Sequence, residues 1–177
     1  MQKACQRQLF CILRHKNGGR FIGHHKKSKN LHTLLDKLTC WTKIFLENDV
    51  DLVIGAHPHV IEPIEMVTDE NDGDQMLVYY SLGNFVNGTE STTGTLADRM
   101  VGGIAEVNIG YTSDGSVGIT SYDVTPIICH MGYGTDYTVY YLDDYTEELA
   151  AQNRILDQDP TFRLDYCKQL VQNVWGK

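Results

Sequence analysis

No stretch of this chain approaches the roughly 20 consecutive apolar residues that a bilayer-spanning helix needs, and its charged start is not followed by the apolar core of a signal peptide. Neither a spanning segment nor a signal peptide is therefore expected in these residues. Cysteine is odd in number: Cys5, Cys11, Cys40, Cys129 and Cys167 make five, and none forms a Cys-x-x-Cys pair. That pattern argues against a disulfide framework or a zinc ribbon and predicts free thiols. Acid is almost missing from the first 40 residues, where Asp36 stands alone against nine Lys and Arg. What is present is ordinary for one globular domain: 177 residues, 42% of them hydrophobic, enough for a core.

The net charge of -8 conceals this split, because the rest of the chain holds the remaining six bases against 22 acids. His15, His24, His25 and His32 add to the basic character of the start. A Lys/Arg-rich arm suits an anionic surface or a nucleic acid. This one has no interleaved aromatics, no zinc-finger spacing and no strongly periodic helix, so no nucleic-acid partner is expected. The change in composition divides the chain into an atypical basic segment, 1–40, and a body, 41–177. The first segment is read as frame-shifted, truncated or disordered.

Across the boundary between the two, Leu34, Leu35, Leu38, Trp41, Ile44 and Phe45 continue a three- and four-residue spacing that starts at Leu31, predicting a helix over 31–48 that ends at Asn48-Asp49. A buried parallel strand is expected at Leu52–Ile54, giving a helix-then-strand unit of α/β type. Asp69 to Asp74 lacks the residue order of an EF-hand and reads as a solvated hairpin turn between Ile64–Val67 and Met76–Tyr80. Residues 87–99 lack a period and read as a loop. Alternation from Ala105 to Ile119 around Ser113-Asp114-Gly115 predicts a β-hairpin, and Asp123–Ile128 extends the β region. Cys129-His130 reads as a buried thiol beside a surface imidazole. Asp144 to Glu147 offers a capping box for a helix through Leu156. Asp159-Pro160 offers an N-cap and first-turn proline for a last helix with an apolar stripe at Leu164, Cys167, Leu170, Val171, Val174 and Trp175.

The most specific stretch is Asp51-Leu52-Val53-Ile54-Gly55-Ala56-His57-Pro58-His59, an apolar strand that runs through Gly55 into two histidines one residue apart. In an extended chain, residues two apart share a side, and Pro58 stiffens the arrangement. Two neutral imidazoles held this way suit Zn, Mn, Fe or Ni, on one ion or split between adjacent ions; the alternative is a pair of surface or capping histidines. Gly55 lets the backbone approach a metal without a Cβ clash. A second strand, Tyr79-Tyr80-Ser81-Leu82-Gly83-Asn84-Phe85-Val86, ends in a Gly-Asn turn. Ser81 and Asn84 are candidates for hydrogen bonds to ligand oxygens or to a ligating imidazole's second nitrogen. For Asn84, simple tolerance of a left-handed turn is the competing reading.

The strings DLVIGAHPHVIEPIE and VYYSLGNFV resemble the C-terminal part of the CapA family of poly-gamma-glutamate capsule synthesis proteins, a branch of the calcineurin-like metallophosphoesterases. The resemblance is read from near Trp41 onward. It implies a partial metallophosphatase-like α/β sandwich with a β-hairpin and C-terminal helices. It implies that His57 and His59 are metal ligands, His59 the candidate catalytic residue, with Gly55, Ser81 and Asn84 around substrate or ligands. The implied cofactors are divalent ions, Mn, Zn or Fe, in a site this chain leaves incomplete, since the family's Asp, Glu, Asn and His motifs of the N-terminal part, ending in His-Trp-Gly, are not legible here. Glu62 and Glu65 are as readily solvated as ligating. The expected function is therefore the C-terminal part of a metal-dependent hydrolase of capsule polymer biosynthesis, inactive in isolation. The alternative is a non-catalytic binding or assembly module. Implied partners are capsule polymer or capsule-synthesis proteins, with self-association through exposed sheet edges. The implied location is the cell envelope or exterior.

Overall fold

The computed structural model describes residues 7–14, 20–26, 42–56, 58–70, 73–88, 96–113 and 115–177. The chain divides into two compact units, one drawn from Met1–His57, Ile64–Tyr80 and Asn108–Ser121, the other from Pro58–Pro63, Ser81–Val107 and Tyr122–Lys177. Mixed strands and helices with two small sheets make this an α/β chain.

The first unit is built on a five-stranded sheet of β1 (Arg7–Arg14), β2 (Arg20–Lys26), β3 (Val50–Ala56), β4 (Ile64–Thr68) and β5 (Gln75–Tyr79), in the order β2-β1-β3-β5-β4. Strands β3 and β5 run parallel, with Leu52 opposite Leu77 and Ile54 opposite Tyr79; the other pairs are antiparallel. Met76, Leu77, Val78 and Tyr79 are all buried, as a continuous apolar run between two neighbouring strands requires. A short helix, α1, spans residues 42–46, and its Phe45 and Leu46 pack on Val50, Val53, Met76 and Val78. Asn48 Nδ2 donates to the Ile44 carbonyl at 2.8 Å, and Asp49 turns left-handed at φ 54°, which ends the helix where its sequence predicts. Residues 31–41 of the expected helix lie outside the described residues. The acidic turn joins β4 to β5 as a hairpin, with Gly73 at φ 81°. The atypical basic segment 1–40 contains β1 and β2, and β1 pairs with β3.

The second sheet joins β6 (Val101–Tyr111), β7 (Val117–Met131) and β8 (Tyr137–Tyr141) in that order. The expected hairpin is thus longer than its alternating residues suggest, and its residues 108–121 are counted with the first unit. The second unit's core gathers Met100, Val101, Ile128, Ile155, Phe162 and Val171 beneath two helices, α2 (Glu147–Gln152) and α3 (Leu164–Trp175). On α3 the stripe is as its spacing predicts: Leu164, Cys167 and Val171 are buried. Cys129 and Cys167 are free buried thiols, and burial pushes both above the ordinary thiol range.

Two capping expectations shift. Helix α2 is capped by Thr146, which accepts from Leu149 N at 3.3 Å, and it stops at Gln152 because Asn153 turns extended and caps the 3-10 turn Arg154–Asp157. Asp159 does not cap α3, which starts at Leu164. Its carboxylate instead accepts from Thr161 N at 3.0 Å, Leu96 N at 2.8 Å and Ala97 N at 2.9 Å, so it caps the 3-10 turn Ala97–Met100. Burial opposes its ionisation, but these bonds outweigh burial and hold the carboxyl below the usual range.

His130 is a half-buried imidazole rather than a fully exposed one. Its Nδ1 lies 2.8 Å from the Tyr145 hydroxyl, and the ring meets Tyr140 and Tyr145 edge-on, each at 5.8 Å. Burial lowers its pKa. A histidine whose folded pKa is depressed takes up protons preferentially when unfolded, so stability present above the unfolded value is lost as pH falls through about 6.5. Urea midpoints measured at pH 7.5 and 5.5 should therefore drop more for the native chain than for His130→Gln. Asp159, whose carboxyl is held below the usual carboxylate range, titrates outside this window.

Candidate functional site

The site grows from the end of β3. The strand stops at Ala56, and residues 58–60 form bends. His59 takes a left-handed backbone at φ 63°, a conformation that costs a non-glycine residue about 1 kcal/mol or more and persists only where surrounding contacts enforce it. The alternation of an extended strand therefore does not continue through His59. His57 lies outside the described residues.

Three contacts link His59, Asn84 and Asn87 within the second unit. The His59 Nδ1 is 2.8 Å from Asn84 Oδ1 and 3.1 Å from Asn87 Nδ2, while Asn87 Nδ2 donates to Asn84 Oδ1 at 3.4 Å. Asn84 Nδ2 donates to the Arg99 carbonyl at 2.9 Å, and that bond fixes which end of the amide faces the imidazole. The nearer partner, Asn84 Oδ1, accepts only from a protonated Nδ1, whereas the Asn87 N–H at 3.1 Å would donate only to an unprotonated one, so the two contacts pull the tautomer in opposite directions. A proton on Nδ1, which the nearer Asn84 contact favours, would leave Nε2 its lone pair for a metal, with the second ring nitrogen oriented by a neighbour.

The turn that carries Asn84 is held by main chain. Gly83, not Asn84, supplies the left-handed residue at φ 69°, and it bridges to Gly102. A Cβ on Gly83 would lie 2.5 Å from the Val101 carbonyl, and one on Gly102 would lie 2.1 Å from the Asn84 carbonyl. Asn84 is buried and spends its side chain on His59 and Arg99.

The remaining candidates fall elsewhere. Ser81 is buried, and its hydroxyl accepts from Gly83 N at 3.2 Å, bracing the turn. Gly55 belongs to the first unit, where a Cβ would sit 2.1 Å from the Tyr80 carbonyl, so the glycine admits the neighbouring strand's main chain. Glu65 accepts from the Tyr80 hydroxyl at 3.1 Å. Glu62 is half-buried, and burial raises its carboxyl pKa. Asn87 was not foreseen; it follows Phe85 and Val86 at the edge of an aperiodic loop, and only a fold that returns this loop to His59 reveals it. Among the described residues, no group of three or more His, Cys, Asp and Glu comes together as a metal site would need. The fit to a metal is therefore partial: Asn84 favours the His59 tautomer that ligates through Nε2, while the described residues do not complete a set.

Fold and site together define an α/β protein with a histidine fixed beyond a strand end by asparagine amides. Residues 24–89 match the family model of bacterial capsule synthesis protein PGA_cap, which supports the CapA likeness carried by the same histidines and Gly-Asn turn. The match begins at residue 24, inside the basic start rather than near Trp41, and ends at 89, before the second sheet and C-terminal helices. No curated protein and no solved structure matches the chain. Among the described residues, no helix is long and apolar enough to cross a membrane.

Proposed function

We propose that this chain contributes the His-x-His part of a divalent-metal site in a hydrolase-type protein of bacterial capsule polymer synthesis, at the cell envelope. The observation that supports this reading is the His59–Asn84–Arg99 chain of hydrogen bonds, which favours a proton on Nδ1 and so a lone pair on Nε2. His57 and His59 would hold Mn, Zn or Fe, and the ion would polarise a substrate bond and activate water. His59's own part is to present Nε2, with Asn84 fixing the ring and Asn87 fixing Asn84. Two imidazoles fall short of the three or more protein ligands of a catalytic site, so the isolated chain should turn over little or no phosphodiester or amide substrate.

The partial donor set also favours a second reading, a non-catalytic binding or assembly module for capsule polymer or capsule-synthesis proteins. Calorimetric titration of the chain with Zn or Mn separates the two. The first reading predicts measurable binding that His59→Ala abolishes and Asn84→Ala weakens about 10–100-fold, the usual effect of losing an outer-shell partner. A chain that binds neither metal would favour the assembly module. Saturable hydrolysis abolished by His59→Ala would instead make this chain an enzyme by itself.

A further inference from the structure

We infer that Trp175, on the last turn of α3, is a positioning residue for His59. The inference rests on the reading of His59 as a ligand, but its geometry stands separately. The segment Pro58–Pro63 carries His59 and is gripped at Glu62. On one side Glu62 N donates to the Ser81 carbonyl at 3.0 Å, and on the other the Trp175 indole Nε1–H donates to the Glu62 carbonyl at 2.9 Å. Ile61 bridges to Leu82 between these points. The indole is itself seated on β6: a Cβ on Gly103 would lie 2.6 Å from the ring carbon Cη2, and Gly103 N donates to the Leu82 carbonyl at 2.8 Å.

One side chain from the C-terminal helix thus ties together the two pieces whose spacing sets the His59–Asn84 bond: the segment after His59 and the turn before Asn84. His59 needs such support because its left-handed backbone is unfavourable unless its surroundings enforce it. Without the indole N–H, the half-buried Glu62 peptide loses an acceptor's partner and the segment is held from one side only. The His59 ring can then withdraw from Asn84, and its proton returns to Nε2, the nitrogen a free imidazole prefers to protonate. An Nε2–H leaves no lone pair on the nitrogen that this reading turns toward the metal.

The test reads the tautomer directly. Long-range ¹H–¹⁵N spectra of the full chain at pH 7.5 should show His59 protonated on Nδ1. In Trp175→Phe they should show a mixture moving toward Nε2–H, with Zn affinity reduced several-fold and with the near-UV circular dichroism of a folded chain. Should the phenylalanine variant fail to fold, 3-benzothienylalanine at position 175 keeps the ring shape, loses the N–H and carries the same expectation. An unchanged Nδ1–H tautomer in a folded variant would overturn the inference and leave Trp175 a packing residue. A tautomer that shifts in a protein whose native form binds no Zn or Mn would uphold the positioning role while overturning the metal reading. A native His59 already protonated on Nε2 would overturn both.

Discussion

Replacing Asn153 with alanine should cost about 4 kcal/mol of folding stability, read as the shift in urea midpoint at constant slope. Asn153 is 1% exposed and its amide acts as a piece of missing strand. Oδ1 accepts from Met131 N at 3.3 Å and Nδ2 donates to the Cys129 carbonyl at 3.2 Å, supplying the main-chain partners of β7 at alternate residues. The same oxygen accepts from Ile155 N at 3.1 Å, and Nδ2 also reaches the Tyr145 hydroxyl at 3.2 Å. Alanine strands two or more buried main-chain groups, each worth about 1–3 kcal/mol when its partner is removed without replacement. Against a total of about 5–15 kcal/mol for a domain, that is a large fraction. Asn153→Asp keeps the shape but loses both donated bonds and brings a charge beside the Cys129 carbonyl, so it should not rescue stability. A midpoint for Asn153→Asp close to native would show that shape, not hydrogen bonding, is what the site requires.

Burial was legible in the sequence, while long-range polar pairing was not. The run Met76 to Tyr79 announces an interior strand, and the spacing from Leu164 to Val171 announces the inward face of α3, because both follow from local periodicity. Asp51 to Ala56 reads as a strand for the same reason. Asn153 looks like any turn residue after a short helix, and its value lies in the edge of β7 that it completes. Asp159 was read correctly as a cap but for the wrong turn, since capping chemistry does not reveal which nearby N–H groups the fold will present. The composition of residues 1–40 marks an atypical basic segment but not the strand pairing inside it, where Phe10, Cys11 and Ile12 lie opposite Gly55, Ile54 and Val53. At the site, the sequence marked His59 and Asn84 but treated His59 as the continuation of a strand. Its bond to Asn84 depends on the turn at Gly83, whose bridge partner Gly102 comes from β6.

Gly102→Ala should therefore damage site and fold at once. A Cβ there would lie 2.1 Å from the Asn84 carbonyl oxygen, 3.0 Å from its carbon and 3.3 Å from the Leu82 carbonyl oxygen, all main-chain atoms with no rotamer to yield. Relief requires β6 and the Gly83–Asn84 turn to separate, which breaks the Gly83–Gly102 bridge and strains the bond from Gly103 N to Leu82. Forced overpacking of this kind costs about 3 kcal/mol. The displaced Asn84 can no longer hold both His59 Nδ1 and the Arg99 carbonyl, so the Nδ1–H tautomer should be lost along with any metal affinity that depends on it. Gly110→Ala, on the same strand, is the matched comparison. Its Cβ would meet the Thr120 side chain at 3.3 Å, a methyl group that can move, so stability should change by less than about 1 kcal/mol. Thermal midpoints of the two variants, with the His59 ring ¹⁵N shifts as the site readout, should thus diverge sharply. Equal midpoints would mean that the Gly83–Asn84 turn gives way easily, and His59 would then lack the rigid support that its tautomer requires.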